Sequence, residues 1–334
     1  MTKRARSMHQ STMIFLWDQY AAFKIFFTCL MSLESVLGTA LCIFLTVYMD
    51  KYWVSADKNL SIDWVLLSLA VILPMSLSIR AAFERREKGL RFISKLRSSV
   101  FQLYLAHATW NFGGDPDVDM SAFDRLGHSD EVINILMDIL CDLSRMLNLP
   151  CVTRARHRMS SEGKKEAKKV NDVSKGLYYA LRAEKMQQLT MKAEVLKSYN
   201  LGLPEGIRIR QWECFMCEAM DELHNLKQYR TPQAMRSFAR IFSFVLPALY
   251  SPVFAQLAAD TSSLGLAIAF ATIVSLALST FFNSIYYLED PFVSSLPIAL
   301  DNIDAVQELK VLSEQQFIDT RGTLFPSADP FERT

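Results

Sequence analysis

Cys214 and Cys217 form a C-x-x-C, the spacing used by dithiol redox centres and by one half of a structural zinc site. No second C-x-x-C accompanies it, and the histidines at 9, 107, 128, 157 and 224 make no ligand pair, so it reads as two thiols on one helix face. Glu218, Asp221 and Glu222 follow at helical spacing in EAMDEL. A carboxylate di-metal bundle would also need Glu-x-x-His partners, which are missing, so these acids read as a solvated face or as intersubunit salt bridges. GxxxxGK[ST], GxGxxG, GxSxG and HExxH are all absent from the chain. With no phosphate cradle, activated nucleophile or metal set, the expectation is a protein that is not an enzyme and carries no cofactor or metal.

Three features point toward membranes and ions instead. Glu34 lies inside an apolar stretch, where an ionisable side chain normally faces a bundle interior or an aqueous path. Val71, Met75 and Ile79 recur at i, i+4 and i+8 and form one apolar stripe. Such a stripe is a packing ridge within one chain; repeated around a symmetry axis it makes a constriction that gates by dewetting. The basic stretch Arg154, Arg156, Arg158, Lys164, Lys165, Lys168 and Lys169 reads as a solvated loop or as a contact for anionic headgroups or a soluble anion.

The elements that must position these residues are set by where the apolar side chains cluster. Of 334 residues 51% are apolar and 21% charged, for a formal net charge of +1. That balance gives no electrostatic argument for nucleic acid, and 22 Phe exclude a disordered chain. The mean hydropathy of +0.13 is concentrated in four runs, 25–49, 62–79, 241–259 and 264–288. Each approaches or exceeds the roughly 20 helical residues that cross a bilayer core. A multi-pass integral membrane protein is expected, in a plasma or an organellar membrane. The first run follows a basic leader without a small-residue cleavage site and reads as a retained helix.

Arginine and lysine crowd the N-terminus, the stretch after residue 79 and the stretch before residue 241, whereas 50–61 holds only Lys51 and Lys58 and 260–263 holds none. The asymmetry predicts two hairpins with both termini and the middle of the chain cytosolic. The expected organisation is a cytosolic basic segment 1–24, a transmembrane hairpin 25–79, a cytosolic helical domain 80–240, a second hairpin 241–288 and a cytosolic C-terminal segment 289–334. Within the middle block, Leu90, Ile93, Leu96, Val100, Leu103 and Tyr104 predict a helix running on from the membrane over 80–111, broken by GGDPD at 113–117. Further helices are expected over 129–149, 166–200, 208–228 and 302–318, with 151–169 largely a loop. The fold class is all-α.

Glu289, Asp290, Pro291 and Phe292 follow the fourth run, then Leu296-Pro297 and an amphipathic segment with Asp301 and Asp304. This resembles the segment after the last membrane helix of bestrophin-type anion channels, nearest to their bacterial members. Ile79-Arg80, where the second run passes into a charged helix, and the stretch from Phe215 through Met220-Asp-Glu-Leu223 to Thr231-Pro232 are similar to the same family. The resemblance implies a homopentamer around one axial pore, conducting chloride or bicarbonate-sized anions. It puts three apolar neck rings at Val71, Met75 and Ile79 and makes Glu289–Phe292 structural. The acidic cluster that binds calcium in animal members is reduced to Asp301 and Asp304, so little direct calcium response is expected. Self, small anions and membrane lipid are the implied partners; the alternative is a membrane-anchored helical scaffold without transport activity.

Overall fold

The computed structural model describes residues 3–27, 31–52, 64–110, 123–150, 152, 155–230, 232–293 and 302–310, and among them every regular element is a helix. The order is α1 Lys3–Ile25, α2 Leu33–Tyr52, α3 Trp64–Thr109, α4 Arg125–Leu147, α5 Ala155–Met159, α6 Ser161–Tyr179, a π-helical turn Ala180–Lys185, α7 Met186–Ser198, α8 Leu203–Gln228, α9 Gln233–Leu249, α10 Ser251–Thr261, α11 Leu264–Leu288 and α12 Ala305–Lys310.

Local chemistry sets the ends. The run expected to span from residue 25 is divided, because Ser32 starts a new helix: its hydroxyl accepts from Ser35 N at 3.2 Å and lies 3.0 Å from Ser35 Oγ. The expected start of the next helix at Ser129 moves forward to Asp124, whose carboxylate accepts from Gly127 N at 2.9 Å. The stretch expected as a loop over 151–169 holds the short α5 and is helical again from Ser161, since Ser160 caps α6 by accepting from Gly163 N at 3.0 Å. Pro247 and Pro252 turn the third run into two helices meeting at Tyr250, because each ring removes a backbone donor. GGDPD at 113–117 lies outside the described residues, as does 311–318, the part of the expected last helix beyond α12.

The chain divides into two compact units. One comprises Met1–Glu84, Thr231–Glu289 and Ser294–Leu300. In it α11 packs on α2, α9 and α10, and α2 packs on α9 and α10. Cys42, Phe254, Ala258, Ala267 and Ala271 form one buried cluster, and Met75, Ala239, Leu246 and Ile285 another. The small residues let backbones approach closely, as membrane helices require in the absence of a hydrophobic drive between them.

The other unit comprises Arg85–Arg230, Asp290–Val293 and Asp301–Thr334. Its core joins α3 beyond Arg85 to α4, α7 and α8, through Ile93, Leu96, Val100, Leu103 and Tyr104 on α3 and Leu136, Ile139 and Leu143 on α4. The expected helix over 80–111 is thus present as part of a 46-residue α3, and five of its six predicted apolar positions are buried.

Candidate functional site

α3 carries the expected neck stripe. Met75 is only 3% exposed, packed within its own unit against Ala239, Leu246 and Ile285, and Ile79 leans on the same cluster. The side chain of Val71 lies outside the described residues. The exposed apolar residues of this stretch are Leu69, Ile72, Leu73 and Leu77, the last two 51% and 57% exposed. Of the expected row, Met75 is thus packed within its own unit. Leu69, Leu73 and Leu77 keep the i, i+4, i+8 spacing on another face of the helix.

Behind that face the unit has a polar interior. Thr39 Oγ1 and Ser275 Oγ lie 3.0 Å apart, and Asn283 Nδ2 donates to Ser35 Oγ at 3.1 Å and Ser32 Oγ at 3.3 Å. Such bonds join α2 to α11. They border a cavity of about 30 Å³, also lined by Ser243, Ser279 and Arg240. Glu34 sits in the first turn of α2 and ion-pairs with Arg240 of α9. Sequence alone places Glu34 in buried apolar surroundings; its side chain is instead 56% exposed and paired.

At the end of α11 two consecutive carboxylates take separate partners. Glu289 pairs with Arg236 at 2.6 Å, with both side chains largely buried. Asp290 pairs with Lys227 at 2.9 Å and Arg230 at 2.5 Å, all three below 10% exposed. The second Asp290 oxygen accepts from Phe292 N at 3.1 Å. Pro291 O accepts from Ile303 N at 2.6 Å, and Phe292 is buried against the core beside Gly89, where a Cβ would lie 3.4 Å from its ring.

No protein-family model matches the chain, and no curated protein is similar to it in sequence. Solved structures do match. A bacterial bestrophin homolog from Klebsiella pneumoniae aligns with TM-score 0.61 and 12% identity over 86% of this chain and 97% of that one. A mutant bestrophin homolog from Klebsiella pneumoniae aligns with TM-score 0.64 and 11% identity over 90% and 99%. A structure described as a membrane protein aligns with TM-score 0.64 and 11% identity over 90% and 98%.

The chain has a bestrophin-like fold. It is an integral membrane protein, and among the described residues three helical stretches are long and apolar enough to span: Leu33–Tyr52, Ala234–Thr261 and Leu264–Ile285. The expected span over 62–79 begins outside the described residues.

The other sequence candidates are dispersed over the bestrophin-like chain. Cys214 is exposed and Cys217 half-buried on α8, and among the described residues no group of three or more His, Cys, Asp or Glu is arranged to hold a metal. Glu218 pairs with Lys95 at 2.6 Å, and Asp221 accepts from Tyr178 Oη at 2.8 Å and pairs with Arg182 at 3.2 Å. Two of the EAMDEL acids are thus paired within the chain, where solvation or intersubunit pairing was expected. Lys164, Lys165 and Lys168 are exposed on α6, while the side chains of Arg154 and Arg156 lie outside the described residues. Asp304 accepts from Val306 N and Gln307 N, both at 3.0 Å, and so caps α12; Asp301 lies outside the described residues.

A pair that sequence reasoning missed joins α3 to α4: His107 Nδ1 lies 3.0 Å from His128 Nε2, with both rings buried. Their only sequence signal was two scattered histidines.

Proposed function

We propose that the protein is a homopentameric anion channel whose axial pore is lined by the N-terminal part of α3. The observation that carries this reading is the bestrophin-like fold over nine-tenths of the chain at TM-score 0.64. The apolar helices and the hydroxyl-rich interior between α2 and α11 support it. We place both termini and the 80–240 block on the cytosolic side, as the lysine and arginine asymmetry argues. Chloride- or bicarbonate-sized anions are the proposed cargo.

Burial supports a different neck row from the one read from spacing. Met75, with Ile79 beside it, holds α3 to its own subunit, and Leu69, Leu73 and Leu77 form the row free to meet its copies. Apolar rings of this kind act by dewetting, so selection among ions belongs to flanking charge and helix dipoles.

Reconstitution of the full chain into liposomes with an anion-flux assay tests the reading, with oligomer mass measured alongside. Flux from a pentamer is expected. Truncating Leu69, Leu73 and Leu77 together to Ala should widen the constriction and raise flux with the pentamer intact. Met75→Ala should instead cost about 2–5 kcal/mol of stability, the usual range for a buried methionine. A monomer or dimer without flux would overturn the channel reading in favour of a membrane-anchored scaffold. A pentamer whose flux is indifferent to the triple truncation would overturn the row.

A further inference from the structure

Helix α1 has no apolar partner along most of its length: every residue from Met13 to Lys24 is exposed, including Trp17 at 64%. A helix this rich in aromatic side chains is not stable facing water. At 100° per residue, Met13, Leu16, Trp17, Tyr20, Phe23 and Phe27 share one side, and Ser11 and Asp18 lie opposite, with Phe15 between them and the edge of the row. Trp17 and Tyr20 contact edge to face at 5.9 Å, and Phe23 and Phe27 lie 4.4 Å apart, so the aromatic row is continuous.

What covers this face follows from length and charge. The apolar part, 13–27, reaches about 22 Å at 1.5 Å per residue, short of the roughly 30 Å hydrocarbon core, so it does not span. The N-terminal turns carry Lys3, Arg4 and Arg6, Lys24 closes the helix, and Asp18 is the one acid. Trp and Tyr favour the headgroup level, and lysine and arginine beside an apolar face favour anionic lipid. Five residues beyond Phe27, Ser32 caps the spanning helix α2, which brings α1 to the bilayer surface.

We infer that α1 is an interfacial anchor, lying in the headgroup layer of an anionic membrane with Trp17 and its row toward the acyl chains. The inference rests on the protein being an integral membrane protein and not on its conducting ions, so its readout is independent of flux.

Full-length protein in vesicles of brominated phosphatidylcholine tests it, the Trp17 signal being the difference between wild type and Trp17→Phe. That signal should be quenched more by bromine near the headgroup end of the acyl chain than by bromine near its terminus, and little by aqueous acrylamide. In the Trp17→Phe chain, Tyr20→Trp should restore this pattern, and Asp18→Trp, on the opposite side, should be quenched by acrylamide. Adding phosphatidylglycerol at low salt should deepen the bromine quenching, and Lys3→Gln with Arg4→Gln and Arg6→Gln should abolish that gain.

Trp17 insensitive to bromine but shielded from acrylamide would overturn the inference and mean that a second copy covers the face. Trp17 open to acrylamide would overturn it as a helix in water, and stronger quenching from the acyl terminus would overturn it as a span. No response to phosphatidylglycerol would overturn the preference for anionic lipid.

Discussion

His107 and His128 meet ring to ring, Nδ1 to Nε2 at 3.0 Å, and tie the last turns of α3 to the first turn of α4. Burial, then the neighbouring His128 and Lys192, hold His107 down to about 3. Burial and Lys192 lower His128 as well, against an opposing pull from Glu131, which pairs with Lys192. The contact needs one ring to donate and the other to accept, so it is lost once both rings carry the extra proton. The N-terminus of α4 also disfavours a cation at His128.

Stability should therefore fall with acidification. Both folded-state values lie below the unfolded one near 6.5, so the unfolded chain binds more protons as pH drops through that value, and stability present above it is lost toward about 3. At pH 5 the contribution of His107 alone is on the order of 2 kcal/mol. Thermal unfolding of detergent-solubilised protein between pH 8 and 5 should show a falling midpoint. Replacing both histidines by Leu should flatten that dependence; an unchanged slope would remove the pair from the explanation.

Asp290 shares its carboxylate between two buried cations, so neutralising it removes the buried charge that both contact. Asp290→Asn should destabilise by about 3–5 kcal/mol, the range for breaking a buried pair from one side. Asp290→Ala should be no milder, since it also removes the acceptor for Phe292 N. Melting temperature and yield of folded protein are the measures, and a wild-type midpoint in Asp290→Asn would contradict the assignment.

At Gly38 on α2, an added Cβ would stand 3.2 Å from Phe244 Cδ2 on α9. Phe244 is partly exposed and able to give by a few tenths of an ångström, so Gly38→Ala should stay within about 1 kcal/mol of wild type. Gly38→Leu overfills the contact and should cost about 1–3 kcal/mol. Unfolding midpoints of the two variants separate close packing from a merely small residue.

Asp304 spends its carboxylate on the first turn of α12. Asp304→Ala should cost about 1 kcal/mol, as lost helix caps do. Calcium should leave the wild-type melting point unmoved, since a site of about six oxygen ligands needs more than a single capping carboxylate. A calcium-dependent rise in wild type that disappears in Asp304→Ala would show that the acid binds metal after all.

Much of the helical skeleton was legible in the sequence because helix geometry is local. The three- and four-residue steps from Ile93 to Tyr104 marked the buried face of α3, and the run 264–288 matched α11 end to end. Helix starts were less legible, since Ser32, Asp124 and Ser160 cap their helices whereas similar residues nearby do not, and the choice depends on the path of the preceding chain. The apolar character of the second run was plain, but hydropathy does not distinguish Met75, sealed against Ala239 and Leu246, from Leu73 on an open face. The same holds for Glu34 with Arg240, Asp290 with Lys227 and Arg230, and His107 with His128. Periodicity along one helix follows from the backbone's fixed rise and turn, so residue order determines it. Which side chains face one another depends on how distant helices pack, and the tertiary structure alone decides that.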